Sequence, residues 1–474
     1  MIKLAGVLFQ DDSSQQDTDK AKALLLQVLE KEPNNSEALL LQGKIYYKLG
    51  EWQNAIKALE NANKVQTDDP YQGPPKANSY YQIGMSYEKL KDFKKGMAAF
   101  KKCLTMENNH FGGCMHLASL LANLGEGERA SKYFKHALKI DPEAINAHFG
   151  LGKSLQQFSE NKDAPIPHYL EVLKRDAEHF KALTQLGIVY LEKEEYDKAA
   201  EYLKKSITIN KTNPITLTSM GNLFFETGYP DKAIRYHLQA LKFNDKELQA
   251  LIGLGNAYYD MQKPNEAIMY YKMALELDEQ LSDVHYNLGN AYYLNEMIED
   301  AIHHYNAGLK LNPNKPESYY NLGNALCVKN DYTAAVEAYF KATQLDKTNA
   351  PAFYNFGNAL YMLGKYQESV VAYRKSLSLH FEQPECHFNL GSAYKDLEQY
   401  KNAKKHFQHA VDLDNSNADA HLNLGNVYES LQEHEMAISS YTSCLMVDPN
   451  NSNAQEALTK LRGITNGKAE RSVN

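Results

Sequence analysis

The stretch Tyr-Asn-Leu-Gly-Asn-Ala-Tyr-Tyr at 286–293 is met again as Tyr-Asn-Phe-Gly-Asn-Ala-Leu-Tyr at 354–361. Working outward from its glycine, a small residue follows a mostly apolar one at 43, 84, 118, 152, 187, 221, 255, 289, 323, 357, 391 and 425. The intervals are 41, 34, 34 and 35, then 34 seven times. Twelve residues after each marker comes a second small residue, from Ala55 and Gly96 to Ser369, Ala403 and Ala437. The best copies continue as Ala-x3-Tyr-x2-Ala, as in Ala267, Tyr271 and Ala274. Self-similarity at a fixed period of roughly 20–50 residues marks a stacked-repeat architecture.

Apolar residues such as Leu251, Leu254 and Tyr258 recur at i, i+3 and i+7, one face of a helix. Turn-forming residues separate the two helical halves, as in Gly228-Tyr229-Pro230-Asp231 and Gln262-Lys263-Pro264-Asn265. Each unit therefore reads as two antiparallel helices of roughly 14 residues, about 21 Å each. The small markers let the two backbones approach, and tyrosines and leucines fill the gaps. A lone hairpin cannot bury its apolar face; stacked neighbours can. The fold class expected is all-α, a right-handed α-solenoid superhelix of about 12–13 helix-turn-helix repeats.

These residues resemble the tetratricopeptide repeat, whose 34-residue unit and small/aromatic pattern match residues 36–451. The twelve frames are 36–69, 77–110, 111–144, 145–179, 180–213, 214–247, 248–281, 282–315, 316–349, 350–383, 384–417 and 418–451. Residues 1–35 make a degenerate N-terminal unit, with a second helix from Ala21 to Leu29 and a short first helix ending at Asp11-Asp12-Ser13-Ser14. A capping helix is expected over 452–463, with Ala457, Leu458 and Leu461 on its apolar face and Gly463 as its stop, followed by a disordered tail over 464–474. The 41-residue interval places seven extra residues in a surface loop at 67–75, and Pro165 and Pro167 read as a helix start.

Composition narrows the function. Apolar residues are 43% of the chain, charged residues 23%, and mean hydropathy is −0.56, which suits a folded chain. No run approaches the ~18 apolar residues of a membrane span. The start of the chain, with one lysine and Asp11-Asp12 where a cleavage site would fall, makes a poor secretory leader. A net charge of −8, from 51 basic and 59 acidic residues, argues against a general nucleic-acid binder. Five cysteines without a C-x-x-C pair fit a reducing compartment, so a cytoplasmic location is expected, with nucleus or cilium as the other addresses.

Catalytic motifs are scarce. Gly150-Leu151-Gly152-Lys153-Ser154 looks like the end of a phosphate loop, but Ala147 stands where that motif needs glycine. His303-His304 and His406/His409 lack partners at zinc-site spacing. His148, His285, His387 and His421 share one repeat position facing neighbouring helices, and Cys103, Cys114 and Cys444 take packing positions. The expectation is no catalytic, cofactor or metal site.

Function is then sought along the first helices. The resemblance implies that their second, fifth, sixth, ninth, twelfth and thirteenth positions face a concave groove. The sixth carries Asn287, Asn321, Asn355, Asn389 and Asn423; the ninth carries Asn256, Asn290, Asn324 and Asn358, with Asn222 and Asn426 beyond. An amide both donates and accepts, so a ladder of them suits the backbone of an extended peptide. The same asparagines equally suit hydrogen bonding from helix to helix. Tyr286, Tyr320 and Tyr354 stand at the fifth position, and Asp283 and Glu317 at the second, a combination that favours segments bearing Lys or Arg. Family members that clamp chaperone C-terminal tails use cations where this chain has Tyr or Phe, which disfavours that ligand. Apolar Ile2, Leu4, Val7, Leu8 and Phe9 are expected to pack against something outside the regular array, an upstream segment or, by self-association through the N-terminal end, another copy. The leading expectation is a non-catalytic scaffold or adaptor holding an extended partner peptide in its groove. Its alternatives are a likeness to the substrate-selecting array of O-linked N-acetylglucosamine transferase, and a structural subunit of a ciliary, cell-cycle or RNA-processing assembly.

Overall fold

The computed structural model describes residues 1–10, 14–65 and 76–472. Among them the chain is helical without strands, and its helices pack in consecutive pairs within two compact units, Met1–Gly228 and Tyr229–Asn474. The first unit pairs α1 (Ile2–Leu8) with α2 (Gln15–Lys31), α3 (Ser36–Lys48) with α4 (Trp52–Lys64), and α5 (Lys76–Lys89) with α6 (Phe93–Met106). It continues with α7 (Phe111–Asn123) and α8 (Gly127–Ile140), α9 (Ile145–Phe158) and α10 (Ile166–Arg175), α11 (Phe180–Glu192) and α12 (Tyr196–Ile209), and ends in α13 (Pro214–Glu226). The second opens with α14 (Pro230–Phe243), then pairs α15 (Leu248–Asp260) with α16 (Pro264–Leu277) and α17 (Ser282–Leu294) with α18 (Ile298–Leu311). Three more pairs follow: α19 (Pro316–Val328) with α20 (Tyr332–Leu345), α21 (Ala350–Met362) with α22 (Tyr366–Leu379), and α23 (Pro384–Asp396) with α24 (Tyr400–Leu413). The last, α25 (Ala418–Ser430) and α26 (His434–Val447), is covered by α27 (Ser452–Ser472).

Local chemistry sets the boundaries. The side chains of Asn213, Asn349 and Asn417 accept the backbone N–H of Thr216, Ala352 and Ala420 at 2.9 Å, satisfying a donor that a helix start leaves open. Pro264, Pro316 and Pro384 sit in first turns, where a missing N–H costs nothing. The turn inside most pairs uses one left-handed residue, though that between α9 and α10 does not; Gly125 and Gly364 take it at φ 79° and 72°, Gln262, Glu296 and Asn330 at 57°, 60° and 64°.

The marker glycines make room for rings. A Cβ on Gly289 would stand 2.7 Å from the Tyr305 ring, and one on Gly323 2.6 Å from Tyr339. Tyr271, Tyr305, Tyr339 and Tyr373 are buried beneath these positions. In the second unit each first helix also touches the next, from α15 through α17, α19, α21 and α23 to α25. Their outward residues thus share one face.

The ends differ from expectation. Ala5 is buried, and Ile2, Leu8 and Phe9 pack against the core that Ala21, Leu25 and Ile45 form, leaving Leu4 and Val7 exposed. Most of that apolar end is spent inside its own unit. Helix α27 passes through Gly463 to Ser472 instead of stopping, because this glycine does not take the positive φ that ends a helix. The loop expected at 67–75 and the residues Asp11, Asp12 and Ser13 lie outside the described residues. Among the described residues no helix is long and apolar enough to cross a membrane.

Candidate functional site

Stacking brings the ninth residue of one first helix opposite the sixth of the next. Asn287 Nδ2 donates to Asn256 Oδ1 at 3.2 Å, Asn321 to Asn290 at 2.9 Å, Asn355 to Asn324 at 3.0 Å and Asn389 to Asn358 at 2.9 Å. Each accepting Oδ1 also takes a hydroxyl hydrogen from the second helix below it: Tyr271 at 2.7 Å, Tyr305 at 2.8 Å, Tyr339 at 2.7 Å and Tyr373 at 2.8 Å. Asn321, Asn355 and Asn389 spend their other N–H on the hydroxyls of Tyr286, Tyr320 and Tyr354 at 3.1, 3.3 and 3.0 Å. A buried tyrosine hydroxyl needs a partner, and the rung is that partner. Burial pushes the hydroxyls of Tyr271, Tyr305, Tyr339 and Tyr373 well above the ordinary tyrosine value, so they remain protonated donors.

The amides are therefore half spent. Of the two uses open to the sixth-position amides, hydrogen bonding from helix to helix takes the donor. Among the described residues, Oδ1 of Asn287, Asn321, Asn355 and Asn389 accepts nothing, and Nδ2 of Asn256, Asn290 and Asn324 donates nothing. Asn423 forms no rung. The ninth position before it is Ser392, whose hydroxyl bonds Phe388 O, so Asn423 donates to Asp419 O at 2.9 Å and accepts from Lys395 Nζ at 2.7 Å.

The charged positions also differ. Lys315 Nζ stands 2.6 Å from Asp283 and 4.2 Å over the Tyr286 ring, so the acid and ring expected to draw a partner's cation already hold one of this chain's own. Glu317 is exposed on α19 and makes no ion pair among the described residues. Beside the Asn290–Asn321 rung opens a cavity of about 860 Å³, walled by Tyr259, Tyr293, Leu294 and Val328 with Glu296 at its edge. These walls are twelfth- and thirteenth-position residues, which the resemblance placed on the groove without naming them. Sequence reasoning missed the ladder role of the buried tyrosines, because hydrophobic periodicity assigns a ring to the core without saying where its hydroxyl emerges.

The shared histidine position pairs rather than binds metal. His148, His285 and His387 meet His168, His304 and His406 with Nδ1 to Nδ1 distances of 3.2, 3.1 and 3.2 Å. The first ring of each pair turns Nε2 to a backbone oxygen, of Pro142, Glu279 and Phe381 respectively. Nε2 then carries the proton, and the facing Nδ1 accepts one from its neighbour. His421 turns Nε2 to Asn415 in the same way but has no such mate, because Ser440 stands at that register on α26. No group of three His, Cys, Asp or Glu able to hold a metal ion occurs among the described residues.

Family models described as TPR repeat match residues 255–296, 323–364, 357–397 and 391–432. Models described as Tetratricopeptide repeat match 14–73, 77–110, 112–143, 180–213, 282–315, 304–337 and 418–451, and together these cover well over half of the chain. Among curated proteins, an Arabidopsis thaliana CTR9 homolog is 24% identical over 180 residues, 37% of this chain and 16% of its own length. An Arabidopsis thaliana DnaJ protein P58IPK homolog is 29% identical over 183 residues, 38% of this chain and 32% of its own. The match thus spans no more than a third of either relative. Among solved structures, the APC/C hetero-tetramer Cut9-Hcn1 covers 94% of this chain and 93% of its own at 17% identity and TM-score 0.40. YrrB, a TPR protein with an unusual peptide-binding site, covers 40% of this chain and 96% of its own at 23% identity and TM-score 0.38.

Proposed function

The chain belongs to the tetratricopeptide repeat family, and on that premise we propose a non-catalytic scaffold that holds an extended segment of a partner protein against the rung-bearing face of its second unit. The observation that carries this reading is the unspent acceptor on Asn287, Asn321, Asn355 and Asn389 beside the unspent donor on Asn256, Asn290 and Asn324. A peptide unit carries one N–H and one C=O, the complement of such a rung. Adjacent packed helices stand ~8–10 Å apart and an extended chain advances ~3.3–3.6 Å per residue, so a rung meets roughly every third residue whatever its side chain. Each bond contributes ~0.5–1.5 kcal/mol net, which suits adaptable, modest affinity. The half-buried rungs are held rigid by the tyrosines below, so little ordering is lost on binding.

The ladder also carries the likeness to the substrate-selecting array of O-linked N-acetylglucosamine transferase, in which case the segment held is an enzyme's substrate. A structural subunit of a larger assembly is favoured by a different observation: Met269, Met273 and Leu277 lie exposed along α16, an apolar strip on a second helix.

The groove is tested by selecting phage-displayed twelve-residue peptides on the full chain, then remeasuring the tightest against the Asn321→Ala/Asn355→Ala variant and as its backbone N-methylated form. Both changes are expected to weaken binding about tenfold or more, with urea unfolding verifying that the variant is folded. Undiminished affinity in either experiment discards the groove and leaves the outer strip.

A further inference from the structure

Among its described residues the first unit carries no asparagine rung, and at one register what stands in its place is a cavity. In the second unit a rung consists of Tyr286, Asn290, Tyr305 and Asn321. The same four positions around α7, α8 and α9 carry Met115, Ser119, Phe134 and Gly150. Phenylalanine brings no hydroxyl, serine is too short to cross, and glycine offers nothing to meet it. What remains is a space of about 840 Å³ lined by these four residues and by Tyr81, Phe111 and Phe149. Gly150 keeps it open: a Cβ there would stand 2.4 Å from the Phe134 ring. Gly112 acts likewise, 2.9 Å from the Tyr81 ring.

Charge at this cavity has one sign. Asp141 and Glu143 line it and no lysine or arginine does. Asp141 accepts the backbone N–H of Glu143 at 3.0 Å through Oδ1, and Glu143 is largely exposed. Arg175 approaches Glu143 only to 3.8 Å and is tied to Glu171 on its own helix. His116, which also lines the space, is paired with Glu88 at 3.0 Å. An open, ring-lined hollow whose lining includes two carboxylates complements a side chain with a long aliphatic stem and a cationic head.

We propose that this cavity is a second recognition site, taking an arginine or lysine side chain of a partner polypeptide. It does not depend on the ladder of the second unit. Beside Tyr286 a lysine stands 2.6 Å from Asp283; here Arg175 stays 3.8 Å from Glu143 and is bound to Glu171, so the attraction for a partner's cation is weakened and not quenched.

Met115 in the wall supplies a reporter. The full chain, labelled with ¹³C at methionine methyl groups, is titrated with N-acetyl-arginine amide, the uncharged isostere N-acetyl-citrulline amide, and N-acetyl-leucine amide. The Met115 signal is identified by its loss in Met115→Leu. A saturable shift with the arginine probe at millimolar concentration is expected, about fivefold stronger than with citrulline. In Asp141→Asn/Glu143→Gln that preference should vanish. This variant keeps the fold, because Asn210, Asn244 and Asn312 make the same side-chain turn at the same register. Equal binding of citrulline, stronger binding of leucine, or no Met115 response to arginine overturns the proposal.

Discussion

Tyr339 shows how one hydroxyl joins the interior to the working face. Its ring fills the space under Gly323 and its oxygen reaches Asn324, which in turn fixes Asn355. Tyr339→Phe should keep the packing and lose the bond to Asn324 with the longer contact to Cys327 Sγ at 3.6 Å, lowering stability by about 1 kcal/mol in urea unfolding. An unchanged midpoint would remove the bridging role. The chain contains its own control. Phe100, Phe134 and Phe407 take the tyrosine register in other repeats, and their partners at the ninth position are Met85, Ser119 and Ser392 rather than asparagine. That concordance was legible in the sequence, as was the ladder's spacing. What the amides bond was not, because spacing fixes which residues share a face but not how their donors are spent. Asn423 illustrates the difference: it keeps the 34-residue step, yet without an asparagine at 392 it completes no rung and bonds Asp419 O and Lys395 instead.

At the scale of the helix pair, the turn carries most of the conformational strain. Gly364 holds φ 72° and a Cβ there would meet nothing within 4 Å, so Gly364→Ala isolates the backbone cost of the left-handed region. A loss of about 1 kcal/mol is expected, whereas Glu296→Gly, at φ 60° in the equivalent turn, should be neutral or stabilising. Equal losses at both sites would mean that the turn is held by side-chain contacts instead. The helices themselves were readable from period and caps. The end of α27 was not: Gly463 was read as a stop on residue type alone, although a glycine ends a helix by adopting positive φ, and this one does not.

Over the whole molecule the paired histidines make stability depend on pH. Burial lowers the titration of His304 and of His406 to about 4, and like charges from His285 with His303 and from His387 with His409 add to it. Asp300 opposes and Lys272 assists at the first site; Lys405 and Arg374 assist at the second. His168 in the first unit is lowered too, by burial and then by His148 and Lys135. Unfolded histidine titrates near 6.5, so the unfolded chain binds the proton first. The stabilisation is complete above that value and is lost as pH falls toward 4, at no more than ~1.4 kcal/mol per pH unit for each histidine. His304→Gln/His406→Gln should flatten the slope of unfolding free energy between pH 6.5 and about 4.5 relative to the parent; parallel slopes would contradict the assignment.

Each rung belongs to two hairpins and to neither alone, which bears on how such a chain can grow or shrink. Excising residues 316–349 as one block would leave Asn290 opposite Asn355, with Tyr305 still beneath Asn290, and the splice would close without a gap. A cut that is not a whole multiple of 34 residues strands half a tread. Whole 34-residue steps are thus the increments by which the reach of this surface can be lengthened or trimmed, in an ancestral gene or on a laboratory bench, while every remaining crosspiece stays intact.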